Sequence, residues 1–266
     1  MKNKALVYPL LIVLISSIIY LFYPSSGKQL NTEETVITAE KYFNYLPSST
    51  TGQMIIHKYY TLSYNEKAEQ AEWVAYELKK EQLSRIHRKR PFFRLDKKVK
   101  TQSADYRNYI NSGYSKGHLC PAGDRKFSSE AFNETFLTSN IAPQKLAFNA
   151  GIWNRLEQKV RYWASKERQL YVVTGGVLDA DLPTIGSEKV AVPQQFYKII
   201  LDYTKPEIKA IAFLIPHRES KQSLYTFVVS IDEVEALTGI DFFPALPDGV
   251  EQQLEASSNY KNWSFK

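Results

Sequence analysis

Between Ser115 and Arg161 the chain reads SKGHLCPAGDRKF, then FLTSNIAPQ, then NAGIWNRLEQKVR. The first two pieces are short β-like runs, the second ending at Asn140. The third places Ile152, Leu156, Val160 and Trp163 at helical spacing. Strand, strand and helix so close together make a compact ββα unit, and the remaining strands and helices alternate without βαβ regularity. The expected fold is therefore α+β, a mixed or antiparallel sheet flanked by helices. Steps of four advance about 40° round a helix, so Asn149, Glu157 and Arg161 form a strip beside the apolar stripe. Taken singly, Asn149 reads as an N-cap, and Glu157 with Arg161 at i, i+4 reads as a surface ion pair. Taken with the strands, the unit lets His118 face a metal held by the helix across a gap one phosphate wide. Lys116 then lies two residues before His118, on the same side of an extended strand.

Charge points the same way. The chain of 266 residues carries a net +6, but Lys79–Lys126 holds 14 Lys/Arg against Glu81, Asp96, Asp105 and Asp124, a local +10 that leaves the remainder at −4. Such a block suits a polyanionic partner; a solvated basic surface or a membrane-facing patch is the plain alternative. Within it, RKRPFFRLDKKVK interleaves cations with Phe92 and Phe93, either a nucleic-acid-facing edge or a loop pinned by two buried rings. One cysteine, Cys120, excludes an intrachain disulfide and a cysteine-rich metal site, and it reads as a packing residue.

Taken from the start, residues 5–23 (ALVYPLLIVLISSIIYLFY) are uncharged and follow Lys2 and Lys4. About 20 apolar residues in a helix reach roughly 30 Å, one bilayer core. Residues 1–24 are thus expected to be an uncleaved membrane anchor, or else a signal peptide with only the weak PSSG site behind it. Either sends the rest of the chain out of the cytoplasm. Residues 25–50 read as a polar tether and 51–266 as the folded domain. In that domain MIIHKYYTLSYN reads as a strand and KAEQAEWVAYELKKEQL as a short helix with Trp73, Val74 and Leu78 inward. LYVVTGGVL, VPQQFYKIILDY, IKAIAFLIPH and TFVVS read as strands, and SIDEVEALTG as a helix capped by Ser230. His57 and His87 stand without partners at useful spacing.

The sequence resembles the DNA/RNA non-specific endonucleases of the ββα-metal class, which include secreted sugar-non-specific nucleases and mitochondrial endonuclease G. The family pattern Asp-Arg-Gly-His, Ser-Asn-x-x-Pro-Gln and Asn-x-x-x-Trp-x-x-x-Glu is met by Ser115-Lys116-Gly117-His118, Ser139-Asn140-Ile-Ala-Pro143-Gln144 and Asn149-x-x-x-Trp153-x-x-x-Glu157. The likeness runs from about residue 55 to 255, through Trp73-Val-Ala-Tyr, Val192-Pro-x-x-Phe-Tyr-Lys and Leu237-Thr-Gly-x-Asp-Phe-Phe. It implies His118 as general base, Asn149 as the sole direct protein ligand of Mg²⁺ (or Mn²⁺), and Glu157 acting through metal-bound water. Asn140 would fix the histidine side, and Arg161 and Lys116 would contact phosphate. The upstream phosphate contact is Arg90 or Arg94. Ser115 and Lys116 replace the usual Asp and Arg; lysine keeps the charge and loses the planar fork.

The implied activity is Mg²⁺-dependent cleavage of DNA and RNA through backbone contacts, leaving 5′-phosphate ends. A non-catalytic, exported nucleic-acid receptor on the same fold is the alternative, and a hydrolase of small phosphodiesters a third reading. A receptor does not need His118, Asn149 and Glu157 together, and the basic block favours a long polyanion.

Overall fold

The computed structural model describes residues 43–50 and 52–265. The expected anchor and most of the expected tether lie outside the described residues. From Asn44 onward the described chain is one unit.

In chain order, β1 (Gln53–Ile56) and β2 (Thr61–Asn65) form a hairpin that leads into β3 (Gln70–Lys79). A basic stretch then reaches β4 (Ser115–His118), α1 (Ser129–Glu134) and β5 (Ile141–Gln144). Next come α2 (Leu146–Phe148), a π-helical turn (Asn149–Trp153) and α3 (Asn154–Glu167). After them lie β6 (Gln169–Gly176), the short β7 (Thr184–Ile185) and β8 (Val190–Ala191), then β9 (Gln195–Asp202) and β10 (Lys209–Pro216). β11 (Val228–Val229), α4 (Ile231–Thr238) and α5 (Asp248–Glu255) complete the order. The main sheet runs β1-β2-β3-β6-β9-β10-β11 and every neighbour is antiparallel; β4 and β5 form a ribbon of their own.

One face of the sheet presents Val74, Tyr76, Val172, Phe196 and Phe213 to Leu156, Val160 and Trp163 of α3. The apolar stripe expected on that helix is therefore its buried face. The other face carries Trp73, Val173, Tyr197 and Ile199, all buried, with Phe242 edge-on to Tyr197 at 5.5 Å. Residues 45–50 join this unit: Tyr45 stacks on Tyr171 at 4.6 Å, and Trp73 Nε1 donates to Ser48 O at 2.9 Å.

Several local expectations are corrected. The segment expected as a helix at Lys67–Leu83 holds the ten-residue strand β3 near the middle of the sheet. Its Ala, Glu and Lys favour helix, but it is paired on both sides, Val74 lying opposite Leu62 of β2 and Thr174 of β6. Burial on both faces erases the alternation that marks a half-buried strand. MIIHKYYTLSYN is a hairpin rather than one strand, turning at His57–Tyr60, where His57 N donates to Tyr60 O at 2.9 Å. The strand expected to end at Asn140 begins after it, because Thr138–Asn140 is a 3-10 turn. TFVVS keeps only Val228–Val229 as strand. Ser230 caps α4 as expected, its Oγ accepting from Glu233 N at 3.1 Å.

Candidate active site

The β4–β5 ribbon supplies one wall of a groove of about 970 Å³, and the start of α3 with the turn before it supplies another. Ser115 lies opposite Gln144 and His118 opposite Ile141. A Cβ at position 117 would meet the Gln144 carboxamide at 2.2 Å, so a larger residue there requires that buried side chain to move. Asn140 stands behind the ribbon, fully buried and away from the groove lining. Its Oδ1 accepts from Cys120 N at 2.8 Å and its Nδ2 donates to the carbonyls of Cys120 and Thr135, both at 3.0 Å. It fixes the backbone just beyond His118. Cys120 is buried, and burial pushes its thiol up to about 12, so it packs and does not react.

His118 lies between two rings, Phe93 at 5.6 Å and Phe136 edge-on at 5.0 Å. Burial, reinforced by the charge of Arg90, pushes its imidazole down to about 3, so the ring is neutral near pH 7. Its Nε2 is shielded by the protein and has no hydrogen-bond partner among the described residues. A neutral imidazole in the lining of a groove, with a ring nitrogen unpartnered among the described residues, has the chemistry of a proton acceptor.

Asn149 is not an N-cap. It has helical backbone angles at the end of α2, and its Nδ2 donates to Ser115 Oγ at 3.1 Å. The Ser115 hydroxyl spends its own proton on Gln144 O at 2.7 Å, so its oxygen must accept from Asn149. That assignment leaves the Asn149 Oδ1 as the carboxamide atom that could take a cation. Asn149, Asn154 and Glu157 all line the groove. One neutral amide oxygen with a carboxylate nearby fits a hard cation that keeps most of its water. Lys116, on the same strand as His118, places its ammonium 5.5 Å from the Phe93 ring centroid and 5.7 Å from that of Tyr109.

Arg161 makes its close ion pair with Asp124, Nη1 to Oδ1 at 2.6 Å, rather than with Glu157. Asp124 is buried and also accepts from Tyr76 Oη at 2.9 Å. Removing its cation would strand a buried charge, at a cost of about 3–5 kcal/mol. Beneath Glu157 lies Lys198 of β9, fully buried, its Nζ 4.8 Å over the Trp153 ring and without a hydrogen-bond partner among the described residues. Burial pushes Glu157 upward while Lys198 and Arg161 pull it back. The converse holds for Lys198, which burial depresses and Glu157 and Asp124 restore. Sequence reasoning passed over both Asp124 and Lys198. Lys198 closes the Val-Pro-x-x-Phe-Tyr-Lys run quoted above; Asp124 gave only an acid inside a basic block.

The basic stretch forms the groove's other lip, with His87, Arg88, Lys89 and Arg90 all in the lining. Of the two upstream arginines, Arg90 is brought to the groove. Arg94 is outside its lining, and its backbone bridges to Leu137, holding the wall that carries Phe136. His87, expected to stand alone, joins this lip. His57 does not: it is buried, with Nε2 2.8 Å from Asp96 Oδ2 and Nδ1 3.6 Å from Glu134 Oε1. His217 is also structural, its Nδ1 donating to Pro193 O at 2.8 Å and its Nε2 accepting from Lys145 N at 2.7 Å, just ahead of α2.

A family model described as DNA/RNA non-specific endonuclease matches residues 39–249. The mitochondrial nuclease EXOG of Danio rerio is 37% identical over 209 residues, covering 71% of this chain and 61% of that protein. A nuclease of Nostoc sp. is 31% identical over 215 residues, covering 76% and 77%. Among solved structures, a chain of the EndoG/EndoGI complex superposes with a TM-score of 0.72 at 27% identity, covering 79% of this chain and 93% of that one. The chain spans 56–62% of the length of the EXOG relatives it matches.

Proposed function

The chain belongs to the DNA/RNA non-specific endonuclease family, and from that premise we propose that it hydrolyses phosphodiester bonds in both DNA and RNA, leaving 5′-phosphate ends. The observation that carries the reading is the pairing of a neutral, unpartnered His118 with an Asn149 carboxamide turned by Ser115, both lining one basic groove. Ser115 and His118 are three residues apart on one strand, so the ends they mark are roughly 10 Å apart, room for a phosphate between them.

His118 takes the proton of the attacking water. Its proton affinity is low in the free groove, and an incoming phosphate, being anionic, raises it toward the range where a base works. Lys116 and Arg90 hold the strand through its phosphates, which carry little sequence information and suit cleavage without sequence preference. Arg161 presents a guanidinium anchored by Asp124, and Asn140 keeps the histidine strand in place. A divalent cation, Mg²⁺ or Mn²⁺, held by Asn149 with Glu157 beside its hydration shell, would supply charge neutralisation at the phosphate and leaving oxygen.

Supercoiled plasmid and RNA should both be cut, and EDTA should abolish cutting; a dinucleotide analogue should be cut far more slowly than plasmid. Nucleic-acid binding without cleavage at any metal concentration would instead make the protein a receptor. Residues 51–266 are proposed as the catalytic domain, 25–50 as its tether and 1–24 as an uncleaved anchor holding it outside the cytoplasm. Among the described residues no helix is long and apolar enough to cross a membrane, and the anchor proposal rests on the uncharged run 5–23. Full-length protein should resist carbonate extraction; a mature N-terminus near residue 28 would overturn the anchor.

A further inference from the structure

The β4–β5 ribbon continues past the catalytic groove. His118 pairs with Ile141 at one end and Ser115 with Gln144 at the other, so Tyr114 and Lys145 are the next residues outward. Their chain neighbours Ser115 and Leu146 line the groove, while Tyr114 and Lys145 themselves line an adjoining cavity of about 350 Å³. Pro216 at the end of β10, with His217 and Arg218 after it, forms a further wall. No carboxylate is among the lining residues, which include two cations, Lys145 and Arg218. Both are exposed, and neither makes an ion pair among the described residues. Glu219, next in the chain, lines the hollow beyond, together with Lys221.

His217 ties the two cations to one mount. Its Nε2 accepts from Lys145 N at 2.7 Å and its Nδ1 donates to Pro193 O at 2.8 Å. Phe148 and Phe196 stand edge-on to the ring at 5.0 and 5.1 Å, which fixes its plane. Burial lowers the imidazole from its ordinary value and the Lys145 charge adds to that, so the ring is neutral near pH 7 and brings no third charge. The cavity thus offers an ammonium and a planar guanidinium on separate elements held in register. A point charge beside a fork of donors, with no acid between them, suits a phosphate oxyanion.

We infer that this cavity is a second phosphate subsite, in which Lys145 and Arg218 together hold one backbone phosphate of the strand cut in the groove. The inference rests on the reading of that groove as the cleavage site. The ribbon rises about 3.3 Å per residue, so the cavity begins roughly 8 Å beyond the midpoint between Ser115 and His118. At about 3.4 Å of axial rise per nucleotide, that is a phosphate roughly two or three nucleotides from the scissile one. Arg90, whose charge bears on His118, stands toward the other end of the ribbon. The strand is thereby held on both sides of the bond to be cut.

The test is duplex DNA binding in EDTA, read by fluorescence anisotropy across a salt series, for wild type and the double variant Lys145→Ala/Arg218→Ala. Both side chains are exposed, and thermal midpoints would verify that the fold is kept. Losing one phosphate contact should flatten the slope of log affinity against log salt by about 0.9. Lys145→Arg/Arg218→Lys, which keeps both charges, should hold the wild-type slope. Lys67→Ala/Lys261→Ala, an equal loss of charge at exposed lysines outside the lining of groove and cavity, should hold it too. An unchanged slope in the Lys145/Arg218 alanine variant, or an equal flattening in the Lys67/Lys261 control, would overturn the subsite alone. Wild-type protein that bound duplex without salt dependence, or not at all, would overturn the groove reading with it.

Discussion

The carboxamide of Asn149 could present either its oxygen or its nitrogen to the groove, and Ser115 decides between them. The hydroxyl proton goes to Gln144 O, so the hydroxyl oxygen can only accept from Asn149 Nδ2. A serine therefore orients the amide proposed to hold the metal, at a position where the family pattern has aspartate. Ser115→Ala should raise the metal concentration for half-maximal cleavage by about 10-fold or more, the usual loss when an outer partner of a metal ligand is removed, with the thermal midpoint little changed. Calorimetric metal titration gives the second readout, and an unchanged half-saturation would show that Ser115 does not orient the ligand. At this scale the spacing of His118, Asn149 and Glu157 pointed to one shared site, and the structure brings all three to one groove. The sequence was silent on Lys198, because a lysine in an apolar strand declares neither its burial nor the glutamate above it.

Among the elements, β3 was the hardest to read and the α2–α3 run the easiest. The apolar stripe of α3 meets a single sheet face, so its period survives in the sequence. β3 is covered on both faces and paired on both edges, so no period survives, and its alanines and glutamates mimic a helix. The β1–β2 hairpin was missed for another reason: its turn is held by His57, which was read as an isolated residue. Burial alone would depress His57, but its hydrogen bond to Asp96 and the nearby carboxylate of Glu134 outweigh this and raise it above its ordinary value. Burial likewise opposes, and the same contacts overcome it, in lowering both Asp96 and Glu134. The stabilisation from His57 is complete below its unfolded value, near 6.5, and fades as pH rises through the raised folded value. That from the two carboxylates is complete above about 4 and fades as pH falls through their lowered folded values. The contribution of this cluster should thus be largest between about pH 4.5 and 6.5, read as the difference in thermal midpoint between wild type and His57→Gln. That difference should shrink as pH rises from about 6 to 8; a difference constant over this range would show that the cluster is not charged as described.

Among the described residues, an antiparallel sheet carries two unlike layers: α3, the β4–β5 ribbon and the Trp263–Phe265 end on the face that builds the groove, and the segment of Phe242 on the other. The local +10 between Lys79 and Lys126 becomes a lip of the groove once folded, with Arg88, Lys89 and Arg90 beside Lys116 and Lys126. That placement was legible as a charge imbalance, but not which arginine would reach the site. The proposed proton acceptor in that groove is His118. The most direct test of that role is the single-turnover cleavage rate of His118→Ala on saturating DNA in Mg²⁺, alongside DNA binding in EDTA. The rate should fall by at least about 10²-fold, the lower range for a lost general base, while binding stays near wild type. A variant that cleaves at a rate comparable to wild type would contradict the account.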